Sequence, residues 1–179
     1  MTIKNTQDNY GIVAILLHWG IAIVIIGLLA EGLYMVGLPV SLQKLQLYGW
    51  HKEYGLLVLA LASLRLGWRL GNQTPALPAA LPSWQKFAAR SVHWAFYGFM
   101  FAMPLTGWVI TSAAGLPASF FGWFVLPNLV APDPNLQKIV TQIHQWLGYG
   151  LIATICMHTG AALEHHFIRK DNVLKGMLP

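Results

Sequence analysis

Long apolar stretches alternate with short polar segments along the chain. One runs from residue 139 to residue 163, where 25 consecutive residues include no Asp, Glu, Lys or Arg. Residues 10–30 are likewise free of formal charge. A helix of about 20 apolar residues crosses the roughly 30 Å hydrocarbon core of a bilayer. We therefore predict transmembrane helices over about 11–36 and 139–166.

Two further stretches are apolar but interrupted. Residues 54–64 are free of charge and are followed directly by Arg65. A second span over about 47–70 therefore requires that Arg65 be stabilised inside a helix bundle. A third span is predicted over about 91–112. The four spans together predict an all-α fold, with one transmembrane four-helix bundle formed by residues 1–179.

Two segments allow a second interpretation. The first apolar stretch could be a cleaved signal peptide, but its core is long and only Lys4 precedes it, which favours a membrane span. The longest connection, residues 113–138, contains an aromatic cluster at 120–126. These aromatic residues fit either a flat position in the membrane interface or a lid over a cofactor.

The composition agrees with a membrane protein. The chain has 179 residues, of which 56% are hydrophobic and 9% are charged, whereas roughly a quarter of a soluble domain is charged. The single cysteine, Cys156, allows no internal disulfide and no CxxCH motif for covalent haem attachment. In a soluble protein the net charge of +5 would suggest nucleic acid. In a membrane protein the basic residues instead indicate which side of the bilayer each loop faces. We therefore expect no nucleic-acid partner.

The basic residues are divided unequally between the two sides of the predicted bundle. With both termini on one side, eight Lys and Arg residues lie on that side and three on the other. The three are Lys44, Lys52 and Lys138. Basic residues accumulate on the cytoplasmic side of membrane proteins. We therefore predict a multi-pass protein in the lipid bilayer with cytoplasmic N- and C-termini.

Four histidines fall at two matched depths in this arrangement. His158 follows His144 by 14 positions on the last span, so the two side chains point within about 40° of each other and lie about 21 Å apart along the axis. Pairing by depth places His51 with His144 near the outer side (the outer pair). It places His18 with His158 near the inner side (the inner pair). Because ionisable groups inside membranes are rare and usually functional, the pattern predicts two haem groups bound between helices.

The ligand chemistry of the two histidine pairs limits which reactions they could support. Two axial histidines leave iron no open position, which favours electron transfer over oxygen binding. One alternative is that each histidine is a hydrogen-bonded packing residue. A zinc site is disfavoured because the pairs are too far apart for one tetrahedral site and no Cys or carboxylate cluster accompanies them. A proton or metal transporter with a histidine relay is a non-redox alternative.

Neighbouring residues extend the haem prediction. Gly55 and Gly148 each follow a ligand of the outer pair by four positions, so a flat macrocycle could approach the helix there. Ordinary small-residue helix packing is the alternative. Arg65 follows His51 by 14 positions, which predicts contact with a propionate of the inner haem rather than snorkelling to the interface. His93, at the inner end of the third span, fits the same role or a packing role.

One more histidine continues the ligand face beyond the last span. His165 follows His158 by seven positions, about 20° from the same face and roughly 10 Å further toward the cytoplasm. We predict that it donates a hydrogen bond or a proton to a quinone beside the inner haem. A solvated interfacial histidine is the alternative.

Several of these motifs resemble the bacterial cytochrome b561 family. They are Leu-His18-Trp, Trp-His51-Lys, His93-Trp-Ala-Phe-Tyr, Pro104-Leu-Thr-Gly107, and the tail that begins Ala-Leu-Glu-His165-His166. The similarity extends over nearly the whole chain and is weakest in the loops. It implies a four-helix cytochrome of the bacterial inner membrane that binds two haem b groups and exchanges electrons with quinone. The axial ligands that it implies are His18, His51, His144 and His158.

The resemblance further implies a superoxide oxidase that passes electrons from superoxide to ubiquinone. Positive charge on the outer face would steer the superoxide anion, and Lys52 and Lys138 supply such charge. Three acidic residues oppose them: Glu31, Glu53 and Asp133. Superoxide as the donor therefore rests on the resemblance rather than on the charge pattern.

A different function fits the same ligand set. The chain would then be a cytochrome b anchor and electron conduit, similar to the subunits that serve periplasmic dehydrogenases and hydrogenases. In that case a redox partner protein would dock on the outer side, where residues 113–138 offer a surface.

Overall fold

The computed structural model describes residues 2–7, 9–76 and 81–178. Over these residues the chain forms four long α-helices joined by short connections and one longer one. The helices are α1 (Ile12–Val36), α2 (Leu42–Leu70), α3 (Ser83–Ala113) and α4 (Pro134–Glu164). The predicted all-α four-helix bundle is confirmed.

α2, α3 and α4 begin several residues before the predicted spans, and at α2 and α4 a polar cap precedes the apolar stretch. Ser41 caps α2 by accepting a hydrogen bond from the Lys44 amide. Asp133 caps α4 by accepting hydrogen bonds from two amides of its first turn. Such caps satisfy amides that have no partner within the helix. They lie outside the apolar pattern, so hydropathy alone places the helix starts too late.

Much of the helix surface is apolar and exposed. Among the described residues, α1 and the helix that runs from Pro134 to Arg169 are long and apolar enough to cross a membrane. Their exposed side chains include Leu16, Ile23 and Met157, which are 64%, 68% and 59% exposed. Extended exposed apolar surface marks a membrane contact. That α2 and α3 also cross the membrane stays a prediction.

Helices adjacent in sequence pack directly on one another: α1 on α2, α2 on α3, and α3 on α4. Their buried core is one apolar cluster contributed by all four helices. It consists of Ile21, Ile25, Val58, Ala62, Tyr97, Met100 and Leu151. On α4 the core position falls between His144 and His158, on α2 the core positions fall between His51 and Arg65, and on α1 they fall between His18 and Glu31. The core therefore separates the two predicted sites.

A small β-hairpin, not predicted from the sequence, occupies the connection between α3 and α4. It pairs β1 (Ala118–Phe120) with β2 (Phe124–Leu126) in antiparallel register. Three-residue strands are too short to give an alternating pattern. The ring of Phe121, at the hairpin turn, lies 5.3 Å from that of Tyr54 on α2, so the hairpin packs against the outer half of the bundle.

Replacing Asp133 by Ala is expected to lower the thermal unfolding midpoint of the detergent-solubilised protein. The substitution removes the side-chain cap of α4, and a lost cap of this type costs about 1 kcal/mol. The measurement is circular dichroism on heating. Asp133→Asn keeps a capping oxygen and serves as the control, so equal midpoints for the Ala variant and the unmodified protein would contradict this account of the α4 start.

Candidate functional site

The structure brings the two histidines of the outer pair together. His51 lies in α2 and His144 in α4, and their ring centres are 6.2 Å apart. Because an imidazole nitrogen lies about 2 Å from a metal that it ligates and the ring centre roughly 1 Å beyond, two ligands on opposite sides of one metal place their ring centres about 6 Å apart. The outer pair fits that spacing.

The inner pair has nearly the same geometry. His18 lies in α1 and His158 in α4, with ring centres 6.1 Å apart. α4 thus contributes one histidine to each pair, at depths set by a separation of 14 residues. The two partners come from different helices. Both pairs predicted by depth are therefore in contact range, and both have the donor set and spacing that a bis-histidine haem requires.

A third imidazole lies beside the inner pair. The ring centre of His93, in α3, is 5.8 Å from that of His158. However, α3 packs directly on α4, and the Phe96 ring of α3 already lies 5.2 Å from His158. That side of His158 is therefore already occupied by an aromatic ring of the adjacent helix. The geometry therefore favours His18 as the partner of His158 and His93 as a neighbour of the site.

The hydrogen bonds of Thr106 determine the tautomer of His144. Its hydroxyl lies 2.8 Å from the Ala102 carbonyl and 2.9 Å from the Met103 carbonyl, so its single proton is donated to the backbone. The same oxygen is 2.8 Å from Nδ1 of His144 and must accept there. His144 consequently carries its proton on Nδ1 and leaves Nε2 free to bind a metal.

His51 has a carboxylate neighbour instead. Its Nδ1 is buried and forms no hydrogen bond within the described residues, and the nearest acidic oxygen is Oε2 of Glu31, 3.5 Å away. Glu31 belongs to α1, as does Gly32, where an added Cβ would come within 3.3 Å of Cε1 of His51. α1 therefore holds the Glu31 carboxylate beside the His51 ring, and the absence of a side chain at Gly32 leaves space for that ring.

The inner pair has a cationic neighbour. One guanidinium nitrogen of Arg65 lies 3.1 Å from Nδ1 of His18. Arginine can only donate, so Nδ1 of His18 accepts. If His18 binds iron through Nε2 with a proton on Nδ1, Arg65 must leave this contact, and a haem propionate would be its acceptor. The predicted propionate role of Arg65 is thus compatible with its position and stays a prediction.

A cavity of about 760 Å³ surrounds the outer pair. This volume lies within the range of roughly 300–1,000 Å³ typical of cofactor and ligand sites. Both predicted glycines, Gly55 and Gly148, line it. A Cβ added at Gly55 would meet nothing within 4 Å, and one at Gly148 would meet only Met103, at 3.8 Å. The glycines therefore border open space rather than a packed helix contact. Lys52 also lines this cavity.

The C-terminal tail folds back under the inner end of the bundle. After α4 the chain makes a π-helical turn, His165–Arg169, and Nδ1 of His165 lies 2.5 Å from Oδ2 of Asp171. Further along, the Met177 carbonyl accepts a hydrogen bond of 2.6 Å from the indole of Trp19. Since Trp19 follows His18, Met177 lies close to the inner pair.

Asp171 is held in its ionised form. Burial would raise the pKa of its carboxyl, but hydrogen bonds from His165 and from the Val173 amide, together with the charges of His165 and Arg169, lower that pKa below its ordinary value. A carboxyl with a lowered pKa stabilises the folded state at neutral pH, and this contribution is lost as the pH falls through the lowered value. The tail is therefore docked through an ionised Asp171 at neutral pH.

Three residues at the site were not predicted from the sequence. Thr106 and Asp171 lie in motifs that resemble the family, but nothing in the pattern assigns them a partner. For Glu31 the sequence does offer an indication, because it is an isolated acidic residue that follows a charge-free stretch. Only the packing of α1 on α2 places it beside His51. Within the described part of the chain, no three His, Cys, Asp or Glu side chains are grouped so that they could hold a metal ion.

Comparisons with known proteins agree with these features. Residues 9–179 match a family model described as prokaryotic cytochrome b561. Cytochrome b561 homolog 2 of Escherichia coli (strain K12) is 36% identical over 187 aligned positions, which cover 99% of this chain and 95% of that protein. Cytochrome b561 homolog 1 of the same organism is 36% identical, with 72% and 73% covered. A protein of Yersinia pestis named probable superoxide oxidase CybB is 28% identical, again with 72% and 73% covered.

Replacing His144 by Ala is expected to reduce the haem content of the purified protein from two per chain to one, because the outer pair loses a ligand and the inner pair keeps both. Pyridine haemochrome assay against protein concentration measures this ratio. His93→Ala is the matched control: it removes an imidazole close to the inner pair and should leave two haems. An unchanged ratio in the His144 variant, or a lost haem in the His93 variant, would overturn the assignment of ligands.

Proposed function

The chain belongs to the prokaryotic cytochrome b561 family of haem b membrane proteins that transfer electrons, and on that basis we propose that it is a dihaem superoxide:ubiquinone oxidoreductase. It would lie in the bacterial inner membrane, with both termini in the cytoplasm. Superoxide would be oxidised on the periplasmic side and ubiquinone reduced on the cytoplasmic side.

The observation that carries this proposal is the repeated histidine geometry. Two imidazole pairs with ring centres 6.2 Å and 6.1 Å apart lie at different depths of one bundle. When bound, haem b supplies a one-electron carrier at each pair. The chain itself supplies the ligands, fixes the tautomer of His144 through Thr106, and separates the two sites with an apolar core. Two sites in series suit transfer of electrons across the membrane.

The overall reaction balances with two superoxide anions for each quinone. Each superoxide gives up one electron and leaves as dioxygen. Ubiquinone takes both electrons and two protons and becomes ubiquinol. Superoxide needs only to approach the outer site, because a pair with two histidine ligands has no vacant position for it to bind.

The outer end of the bundle supports an approach of a small anion. Lys44 and Lys52 both line the cavity around the outer pair. Fixed positive charge in a cleft raises the local concentration of anions. The Yersinia pestis relative is named a probable superoxide oxidase, which supports the same donor. Lys52, beside the ligand His51, is the residue that we assign to steering.

The inner end supports a quinone site. His165 is the first residue of the π-helical turn that follows α4, and its Nδ1 contacts the Asp171 carboxylate. That contact fixes a proton on Nδ1 and leaves Nε2 to exchange a proton with a bound quinone. We assign His165 the role of hydrogen-bond or proton donor to ubiquinone.

A conduit subunit is the second candidate, favoured by the hairpin. Trp123, Phe124 and Val125 there are 81%, 53% and 63% exposed, and exposed aromatic residues are common where proteins bind each other. A redox partner would then deliver electrons to the outer pair. Co-purification of a periplasmic dehydrogenase with the chain would favour this candidate.

The purified protein alone is expected to oxidise superoxide and reduce ubiquinone, with one quinol formed for every two superoxide anions consumed. A superoxide-generating system with ubiquinone in detergent, followed by quinol absorbance, measures the ratio. Protein freed of haem is the control. Absence of quinol formation by the fully loaded protein would refute the proposal.

His165→Gln is expected to lower the rate of quinone reduction at least tenfold, because the side chain no longer exchanges a proton. Its haem spectra should be unchanged, since His165 belongs to neither pair. His166→Gln is the matched control, one position along the same turn, and should keep the rate. Equal rates in the two variants would remove His165 from the quinone site.

A further inference from the structure

The two histidine pairs differ in the charge of the side chain beside them. At the outer pair, Oε2 of Glu31 lies 3.5 Å from Nδ1 of His51. At the inner pair, the guanidinium of Arg65 lies 3.1 Å from Nδ1 of His18. One site thus has an acidic neighbour at its ligand and the other a basic one, although the ligands themselves are all histidines.

We propose that Glu31 and Arg65 are positioning residues that set the two sites at different reduction potentials, the outer lower and the inner higher. This inference rests on the proposed function, because it requires one haem at each pair. It adds the residues that give electron flow its direction. With this order of potentials, electrons move from the outer site to the inner site, toward the proposed quinone.

The physical basis is the charge change at iron. Oxidation adds a positive charge to the site, so a nearby carboxylate stabilises the oxidised form and lowers the potential. A carboxylate near Nδ1 of a ligating histidine also makes the imidazole a stronger donor, which acts in the same direction. A guanidinium stabilises the reduced form and raises the potential, and Arg65 would keep its charge at the inner site after turning from Nδ1 of His18 to a propionate of the bound haem. Both effects are strong where water is excluded.

The burial of the two contacts supports such an effect. The side chains of His51 and Glu31 are 20% and 18% exposed, and the Arg65–His18 contact is also partly buried. Screening by water and salt is weak at such sites. Each charged neighbour lies on a different helix from its histidine. Glu31 of α1 contacts His51 of α2, and Arg65 of α2 contacts His18 of α1.

Other charges near the sites strengthen or weaken this asymmetry. At the inner end, Arg69 adds a second cation, held 5.3 Å from the Trp94 ring centre and 5.6 Å from that of Tyr97. At the outer end, Lys52 opposes Glu31. The ammonium of Lys44 donates to the Leu38 carbonyl at 2.6 Å, which holds it toward the α1–α2 connection. Of these charged groups, Glu31 is the one placed at Nδ1 of His51.

The transfer between the sites is a balanced one-electron step. The electron that leaves the outer site arrives at the inner site, and no proton, bond or further reactant takes part. The oxidant and reductant at the two ends are the ubiquinone and superoxide of the proposed function.

The test is a potentiometric titration of the full-length, haem-loaded protein, followed by haem absorbance. The outer site is identified as the wave that disappears in the His144→Ala variant. In the unmodified protein the outer wave should have the lower midpoint. Glu31→Gln should raise the outer midpoint by the equivalent of at least a tenfold change in the equilibrium constant, about 59 mV for one electron. The inner midpoint should stay unchanged.

Arg65→Gln should lower the inner midpoint by a similar amount and leave the outer one unchanged. Arg65→Lys and Glu31→Asp keep the charge and should restore most of the difference. Glu53→Gln and Arg69→Gln are matched controls: each removes the same charge from a side chain that contacts no histidine of either pair, and each should shift the midpoint by less than the Glu31 or Arg65 variant does. If the Arg65→Gln variant loses the inner haem, the inference is decided by the midpoints of the Glu31→Gln, Glu31→Asp and Arg65→Lys variants.

Two results would overturn the inference. One is an outer midpoint that does not move in Glu31→Gln although both haems are present. The other is an outer midpoint above the inner one in the unmodified protein. A chain that binds fewer than two haems, or that reduces no quinone with superoxide, would instead refute the proposed function. Haem content and activity therefore separate failure of the function from failure of the charge asymmetry.

Discussion

The structure depends on keeping imidazole rings inside an apolar bundle. In the hydrocarbon region each buried polar atom needs a partner within the protein. His144 donates to Thr106, Glu31 lies beside His51, and Arg65 contacts His18. Each partner comes from a helix other than that of its histidine. These polar contacts therefore fix how the helices are rotated against one another, which apolar packing alone leaves less sharply defined.

The apolar core has a second consequence beyond stability. Residues such as Ile21, Val58 and Leu151 fill the middle of the bundle between the two pairs. An apolar filling of this kind keeps water and ions away from the region between the two pairs, and in the proposed function electrons would tunnel through these packed side chains. A bundle with polar residues at these positions would allow protons to cross with the electrons, and the two ends would no longer be chemically separate.

The helices and histidine pairs could be predicted because both follow a period. A charge-free run identifies a membrane helix, and a spacing of 14 residues places His144 and His158 on one face. The partners Glu31, Thr106 and Asp171 could not be predicted, because each depends on which faces of different helices meet. The same holds for His93, whose closeness to His158 follows from the direct packing of α3 on α4. Helix starts and the short hairpin depend on local caps and turns that hydropathy does not record.

The hydrogen bond from Trp19 to the Met177 carbonyl joins the first helix to the segment that follows α4. Met177 emerges from the ribosome only after every helix has been synthesised. Until then α1 lacks this partner at the end of the bundle that holds the inner pair. The contact of Trp19, beside the inner pair, is therefore formed only after the segments that surround the outer pair have been made.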